Sequence, residues 1–448
     1  MGTTGDLRSI AGVTTDPAVE RLRALIRIPT VSRDDPADQD RAAFERLRAE
    51  LATLYPRTHA ELEREVLADG SLLYRWAGAG TGRPVVLMAH HDVVPADEPG
   101  WRHEPFSADL ADDRIWGRGT LDDKGMLAAI LEAIERLLTA GVTPAVDVYV
   151  FSGANEETAG AGAATAVQLL TERGVRPGLV LDEGGAVADD AFPGLRGAVA
   201  YVGVAEKGMA GIRLVVQKPG GHAATPARHG ATTTLARAIL RLESHPAPAR
   251  LSLPVAAMLR AIAPLAGGMQ RRLFARPGAV VRRILAARGG EAEALVRTTR
   301  AVTRLTGSAA DNVVAERATA VVNARIAIGS SVEQTLEEVR RAIRDDDVEV
   351  QLTRGDDPSP VSPAEGPAWD ALTAAIAETF PGVTVAPYVM LQASDSRHFT
   401  RISDTVYRFL PFELSAAERR TLHAIDESIG VANWLRGVTF FERLLRGL

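Results

Sequence analysis

Three observations predict an α/β fold: a mostly parallel sheet with helices on both faces, and an inserted α+β domain. Short, wholly apolar runs alternate with stretches of helical spacing, the pattern of parallel strands buried on two faces. Acidic and histidine residues cluster just beyond those runs, where open α/β sheets collect ligands. Between residues 207 and 356 the alternation gives way to strands of period two and amphipathic helices.

The elements follow in order. Residues 18–28 have the spacing of an amphipathic helix stopped by Pro29, and 40–54 form a second. Residues 84–88 and 145–151 are short apolar strands, with helical spacing at 125–140 between them. A helix near 162–173 leads to a strand end at 179–181. In the inserted domain, 211–217 reads as strand and 231–243 as helix. Residues 254–304 read as a long, Arg- and Ala-rich, mostly helical stretch, followed by a strand at 318–328, a helix at 332–344 and a strand at 348–353. Asp356-Asp357-Pro358-Ser359-Pro360 makes a return linker. The expected division is therefore 1–206 with 357–448 as one discontinuous domain, and 207–356 as an inserted α+β domain.

Composition narrows the function. A chain of 448 residues, 46% apolar, has room for two domains and a sizeable core. A formal charge of -6 gives no electrostatic footprint for nucleic acid. The absence of cysteine excludes disulfides, thiolate metal sites and a cysteine nucleophile together. No apolar run approaches the roughly 18 residues that span a bilayer, so no membrane partner is expected. The start lacks the basic and apolar regions of a signal peptide, and Asp6 stands where an acylation signal needs Ser or Thr; the default expectation is a cytoplasmic protein.

The chemistry lies in four motifs and two outlying histidines. Residues 85–95 read Val-Val-Leu-Met-Ala-His-His-Asp-Val-Val-Pro. A period of two puts His90 and Asp92 on one side, and a metal-ligating histidine needs such a carboxylate to fix its tautomer. Gly117–Gly125 places glycines around Asp122 and Asp123, where a carboxylate could bridge two cations; the same string could equally be a turn with one aspartate as helix N-cap. Glu156-Glu157 follows a strand: one could hold a metal while the other takes a proton from water, or both could face solvent at a helix start. Asp182-Glu183 is a further acidic strand end. His423 is weak alone, and His222, in a glycine-rich loop of the inserted domain, could polarise a carbonyl or cap a turn. Oxygen and imidazole donors without thiolate suit a two-metal catalytic site of the zinc type. The string Gly160-Ala161-Gly162 lacks the third spaced glycine and the lysine of a nucleotide loop, so a dinucleotide enzyme is disfavoured.

Taken in order, from Leu25-Ile-Arg-Ile-Pro-Thr-Val-Ser32 to Phe441, these motifs resemble the di-zinc aminoacylase and carboxypeptidase metallopeptidase family, which includes glutamate carboxypeptidase, aminoacylase-1 and succinyl-diaminopimelate desuccinylase. Leu181-Asp-Glu-Gly-Gly185, Asp395-Ser-Arg397 and the helical insert look like the branch of carboxypeptidase S and the secreted N-fatty-acyl-amino-acid synthase/hydrolase. The resemblance implies two divalent metals, zinc first, with cobalt or manganese serving the same donors. It implies His90, Asp122 and Asp182 on one metal, with the neighbouring Glu183 as the open alternative to Asp182, and Asp122, Glu157 and His423 on the other. Asp92 would orient His90, Glu156 would be the general base, and His222 would stabilise the oxyanion. Asn312, Arg325 and Arg397 match positions that hold the substrate's carboxylate and amide. The implied reaction is hydrolysis of an amide next to a free α-carboxylate, in a small peptide or an N-acyl amino acid, with 1–206 and 357–448 as the catalytic domain and 207–356 as a lid through which a homodimer would form. A catalytically silent binder of amino-acid conjugates is the non-enzyme alternative. Asn155 stands where the family commonly has Asp, and Gln392-Ala393-Ser394 replaces its usual approach to Asp395.

Overall fold

The computed structural model describes residues 16–33, 35, 37–189, 192 and 194–448. The amino-terminal stretch read for leader and acylation signals lies outside them, Asp16 excepted. The chain divides into two compact units. One holds Met1–Val204, Ser362–Ala386 and Ser394–Leu448; the other holds Ala205–Val361 and Pro387–Ala393.

The first unit is built on an eight-stranded sheet, whose last two strands end beyond its bounds at Val204 and Ala386. Its order is Glu63–Val66, Leu72–Trp76, Val148–Gly153, Val85–His90, Leu179–Ala188, Val406–Glu413, Val199–Glu206 and Thr384–Met390. The four strands from Val148–Gly153 to Val406–Glu413 run parallel. Antiparallel neighbours flank them. The strand Val85–His90 is buried throughout, as an apolar strand covered on both faces must be. Val85, Leu87 and Ala89 pack into one core cluster with the helices Pro17–Ile26, Lys124–Thr139 and Val431–Arg446. Val86 and Met88 pack on the opposite face, against Ala163, Ala166 and Leu170 of the helix Gly162–Glu172. Helices therefore cover both faces, and every loop that leaves a parallel strand at its carboxyl end opens at the same rim.

The second unit is α+β. The strands Thr299–Thr306, Arg317–Ile326, Gly208–Gln217 and Val348–Asp356 form an antiparallel sheet in that order. Alternate residues of Arg317–Ile326 are buried, from Ala318 to Ile326, against Leu235, Ala238 and Leu242 of the helix Ala231–Ser244 and against Val339, Ala342 and Ile343 of Val332–Ile343. The stretch read as helical from 254 to 304 is helical only as far as Ala294, in Leu253–Ile262, Gly268–Ala275, Ala279–Arg288 and Gly290–Ala294. Residues 299–304 belong to the edge strand Thr299–Thr306, which is mostly exposed and so carries no apolar alternation to betray it.

Candidate metal centre

The site grows from the carboxyl ends of the parallel strands. His90 closes the strand Val85–His90, and its buried imidazole has both nitrogens committed. Nδ1 lies 3.0 Å from the Asp92 carbonyl oxygen and 3.3 Å from its Oδ1. That pairing puts the proton on Nδ1 and leaves Nε2 as a donor to a cation. Asp92 is itself held on all sides. Its Oδ1 accepts from the Glu156 N–H at 3.2 Å, while Oδ2 accepts from the Glu157 N–H at 3.1 Å and the Ser32 hydroxyl at 2.5 Å. One buried carboxylate thus fixes both the histidine and the loop bearing the glutamate pair.

Asp122 sits in the glycine string. Gly119 has φ +91, and a Cβ on Gly125 would stand 2.0 Å from the Thr120 carbonyl oxygen, so the loop can close this tightly only with glycine at both places. The fully buried Glu427 holds the loop open side inward: it accepts from the N–H groups of Gly119, Leu121 and Asp122 at 3.0, 2.8 and 3.2 Å. Arg118, also buried, reaches Glu427 at 2.6 Å and the Ala424 carbonyl at 3.1 Å. The two residues tie the Asp122 loop to the turn that carries His423. Sequence reading passed over both; the signal it could have used is an acid four residues after a candidate histidine.

The ligating atoms gather into two groups that share one carboxylate. His90, Asp122 and Glu183 form one, and Asp122, Glu157 and His423 the other. His90 Nε2 is 2.9 Å from Asp122 Oδ1 and 3.8 Å from Glu183 Oε1. His423 Nε2 is 3.0 Å from Asp122 Oδ2 and 3.1 Å from Glu157 Oε2. Four donors around one cation at ~2.0 Å stand roughly 3.3 Å apart, so these separations suit a shared ion.

The expected ligand Asp182 is not in either group; its neighbour Glu183 is. The cause is local. The strand Leu179–Ala188 pairs Asp182 with Arg408 and then Gly185 with Phe409, which leaves Glu183 and Gly184 as a bulge with Gly184 at φ +138. A bulge re-aims side chains, and here it swings Glu183 to the site. Asp182 keeps the face of Val180 and accepts from the Ser396 N–H at 2.9 Å.

Electrostatics fit the same conclusion. Burial pushes the Glu156 and Glu183 carboxyls well above the usual carboxylate range, with neighbouring carboxylates adding to the rise. His423 is held up to about 10 by its bonds to Asp122 and Glu157. Burial works against a charged His90, yet its bonds to Asp122 and Asp92 raise it well above an ordinary histidine. A site that forces protons onto its carboxyls and imidazoles lacks positive charge. Glu157 Oε1 and Asp123 Oδ1 are buried without a hydrogen-bond partner. Divalent cations would supply the missing charge, and the donor set fits them.

The remaining candidates lie elsewhere. Arg397, in the first unit, donates to the Ser394 carbonyl at 2.9 Å, beside the buried Asp395. His222, Asn312 and Arg325 belong to the second unit. His222 is exposed on a two-residue strand paired with Val313, and its Nδ1 accepts from the Ala224 N–H at 3.1 Å. The Asn312 carbonyl accepts the Ala223 N–H at 3.0 Å, which continues the antiparallel pairing of His222 with Val313. Arg325 faces Met209 and Thr299 in the antiparallel sheet.

Comparison with known proteins decides the family. The profile of "Peptidase family M20/M25/M40" matches residues 86–447. The chain belongs to this family. It is a metal-dependent hydrolase of the peptidase and amidohydrolase kind, and the family implies divalent metal binding at such a site. The chain is 33% identical over 440 residues to the "Probable carboxypeptidase S-like 2" of Dictyostelium discoideum, covering 95% of this chain and 84% of that protein. It is 33% identical over 438 residues to the "N-fatty-acyl-amino acid synthase/hydrolase PM20D1.1" of Danio rerio, covering 96% and 85%. Among solved structures it resembles the M20 family metallo-carboxypeptidase Sso-CP2 of Sulfolobus solfataricus, with TM-score 0.71, 18% identity, and 96% and 99% of the two chains covered. That likeness establishes the α/β fold.

Proposed function

We propose that this M20 peptidase cleaves an amide bond next to a free α-carboxylate, in an N-acyl amino acid or at the carboxyl end of a short peptide, using two cations that share Asp122. The observation that carries the reading is the pair of donor groups joined by that single carboxylate. The zinc choice follows from imidazole and carboxylate donors, which also accept cobalt and manganese. Cations held by these residues would make water acidic enough to ionise near neutrality and would polarise an acyl oxygen.

The chain's own residues supply the rest. Glu156 takes the proton that water loses as it attacks the acyl carbon, and returns it to the departing amine. Its backbone N–H, bonded to Asp92, fixes it beside His90, and burial raises its basicity toward that task. Asp92 and Glu427 do no chemistry; they hold His90 and the Asp122 loop in place. His222 as the oxyanion donor, and Asn312, Arg325 and Arg397 as holders of the substrate's amide and carboxylate, rest on the resemblance of their motifs. An arginine suits the carboxylate because its fork pairs both oxygens.

The carboxypeptidase and acylase readings are each supported by a relative of equal identity. Amine release from zinc-reconstituted protein separates them. Dipeptides and N-acyl amino acids of short and long chain, ending in the same residues, are compared with and without chelator. Chelator-sensitive turnover of either series upholds the reading; with both cations bound and neither series cleaved, the proposal fails.

A further inference from the structure

The second unit carries a feature that hydrolysis does not use. Between residues 245 and 290 there are eight arginines and no acidic residue, in a chain whose formal charge is -6. The same stretch exposes large apolar side chains: Met269 at 66%, Val280 at 57% and Ile284 at 48%. The helix Ala279–Arg288 shows how they are arranged. Val281 and Leu285 are its buried anchors. Its exposed residues are Ala279, Val280, Arg283, Ile284, Ala287 and Arg288, and from Val280 onward their spacing of three and four makes one stripe. In the preceding helix, Gly268–Ala275, Met269, Arg271 and Arg272 are exposed, and Arg276 follows at its end. A solvated face would be charged and polar. This one is apolar with arginine interleaved, the composition of a helix that lies in a lipid headgroup region.

We propose that the helices Gly268–Ala275 and Ala279–Arg288 seat this protein in the plane of an anionic lipid surface, against the expectation of no membrane partner. Charge complementarity selects the lipid: a stretch that carries arginines and no acidic residue matches anionic headgroups, while Val280, Ile284 and Met269 enter the acyl boundary. No helix among the described residues is long and apolar enough to cross a membrane, so the association is in-plane. The inference is independent of which amide the site cleaves.

Flotation of the intact zinc-loaded protein with vesicles tests it, comparing phosphatidylcholine alone with phosphatidylcholine containing 30% phosphatidylglycerol (about 0.1 M salt). Binding is expected to the second and not the first, and to fall as salt rises. Each arginine near an anionic surface contributes roughly fivefold, so R283A/R288A should weaken binding about 30-fold. V280S/I284S should weaken it roughly tenfold or more by removing the inserted side chains. All four positions are on the exposed stripe, so melting temperature and turnover of a short-chain soluble substrate should stay unchanged. Equal binding to both vesicle types, no binding to either, or indifference to both double variants would overturn the proposal. So would a dimer, seen by sedimentation, that V280S/I284S dissociates while vesicle binding is absent, since the occupant would then be a second copy. Retention by a soluble nucleic acid without vesicle binding would overturn it in favour of a generic polyanion.

Discussion

Replacing Glu427 by Ala should unfold the site from behind. Glu427 accepts three backbone N–H groups of the Asp122 loop and the guanidinium of Arg118, and both side chains are buried to 1% or less. Its removal leaves a buried cation and three donors uncompensated. Breaking a buried pair in this way costs about 3–5 kcal/mol, against a typical total stability of about 5–15 kcal/mol. All five tryptophans, Trp76, Trp101, Trp116, Trp369 and Trp434, lie in the first unit, so their fluorescence during urea unfolding follows that unit. With a slope of ~2 kcal/mol/M, the midpoint should fall by roughly 1.5–2.5 M. The double variant E427A/R118M should recover much of the loss, because no buried charge is then left unpaired. Metal affinity should drop about 10–100-fold in E427A as the Asp122 loop loses its support. A midpoint shift equivalent to less than about 1 kcal/mol, or a double variant no more stable than the single one, would refute the assigned role.

Two further outcomes follow from the site. E183Q should weaken binding of one cation by at least about 100-fold in a competitive chelator titration, whereas D182N, which keeps an acceptor for the Ser396 N–H, should change it less than about tenfold; the reverse order would restore Asp182 as the ligand. In the metal-free protein His423 is raised to about 10, so its contribution to stability is fully present below about 6.5 and is lost as pH rises through about 10. The melting temperature of the apo protein should therefore decline across that window, the decline should shrink in H423A, and saturating zinc should suppress it.

Much of the site was legible because its residues come in short ordered strings. His90 with Asp92 and the glutamate pair stand at or just beyond strands that their apolar runs announce, and Asp122 stands in a glycine string ahead of a helix. The preference for Asp182 over Glu183 came from the resemblance of the motif Leu181-Asp-Glu-Gly-Gly185, which does not choose between adjacent acids; the bulge that turns them apart leaves its trace in pairing rather than in pattern. Glu427 and Arg118 stayed hidden because their partners are some 300 residues away and mostly backbone N–H groups, which have no sequence signature. The strands Asp109–Ala111, Arg114–Trp116 and Ser428–Gly430, three residues each, are too short to show any period. The edge strand Thr299–Thr306 is exposed along most of its length, so its Arg, Ala and Thr residues looked like the Arg- and Ala-rich helical stretch before it.

The central claim is that two cations share Asp122 while Glu156 moves the proton. It is tested most directly by Glu156→Gln, with metal content and turnover measured on the same sample. Loss of a general base removes about 10²–10⁴ in rate and leaves the ligands intact. The predicted result is two equivalents of metal per chain with kcat reduced by at least that lower bound. Two equivalents with undiminished turnover would contradict the role of Glu156, and a single equivalent in the wild-type protein under saturating zinc would contradict the shared site.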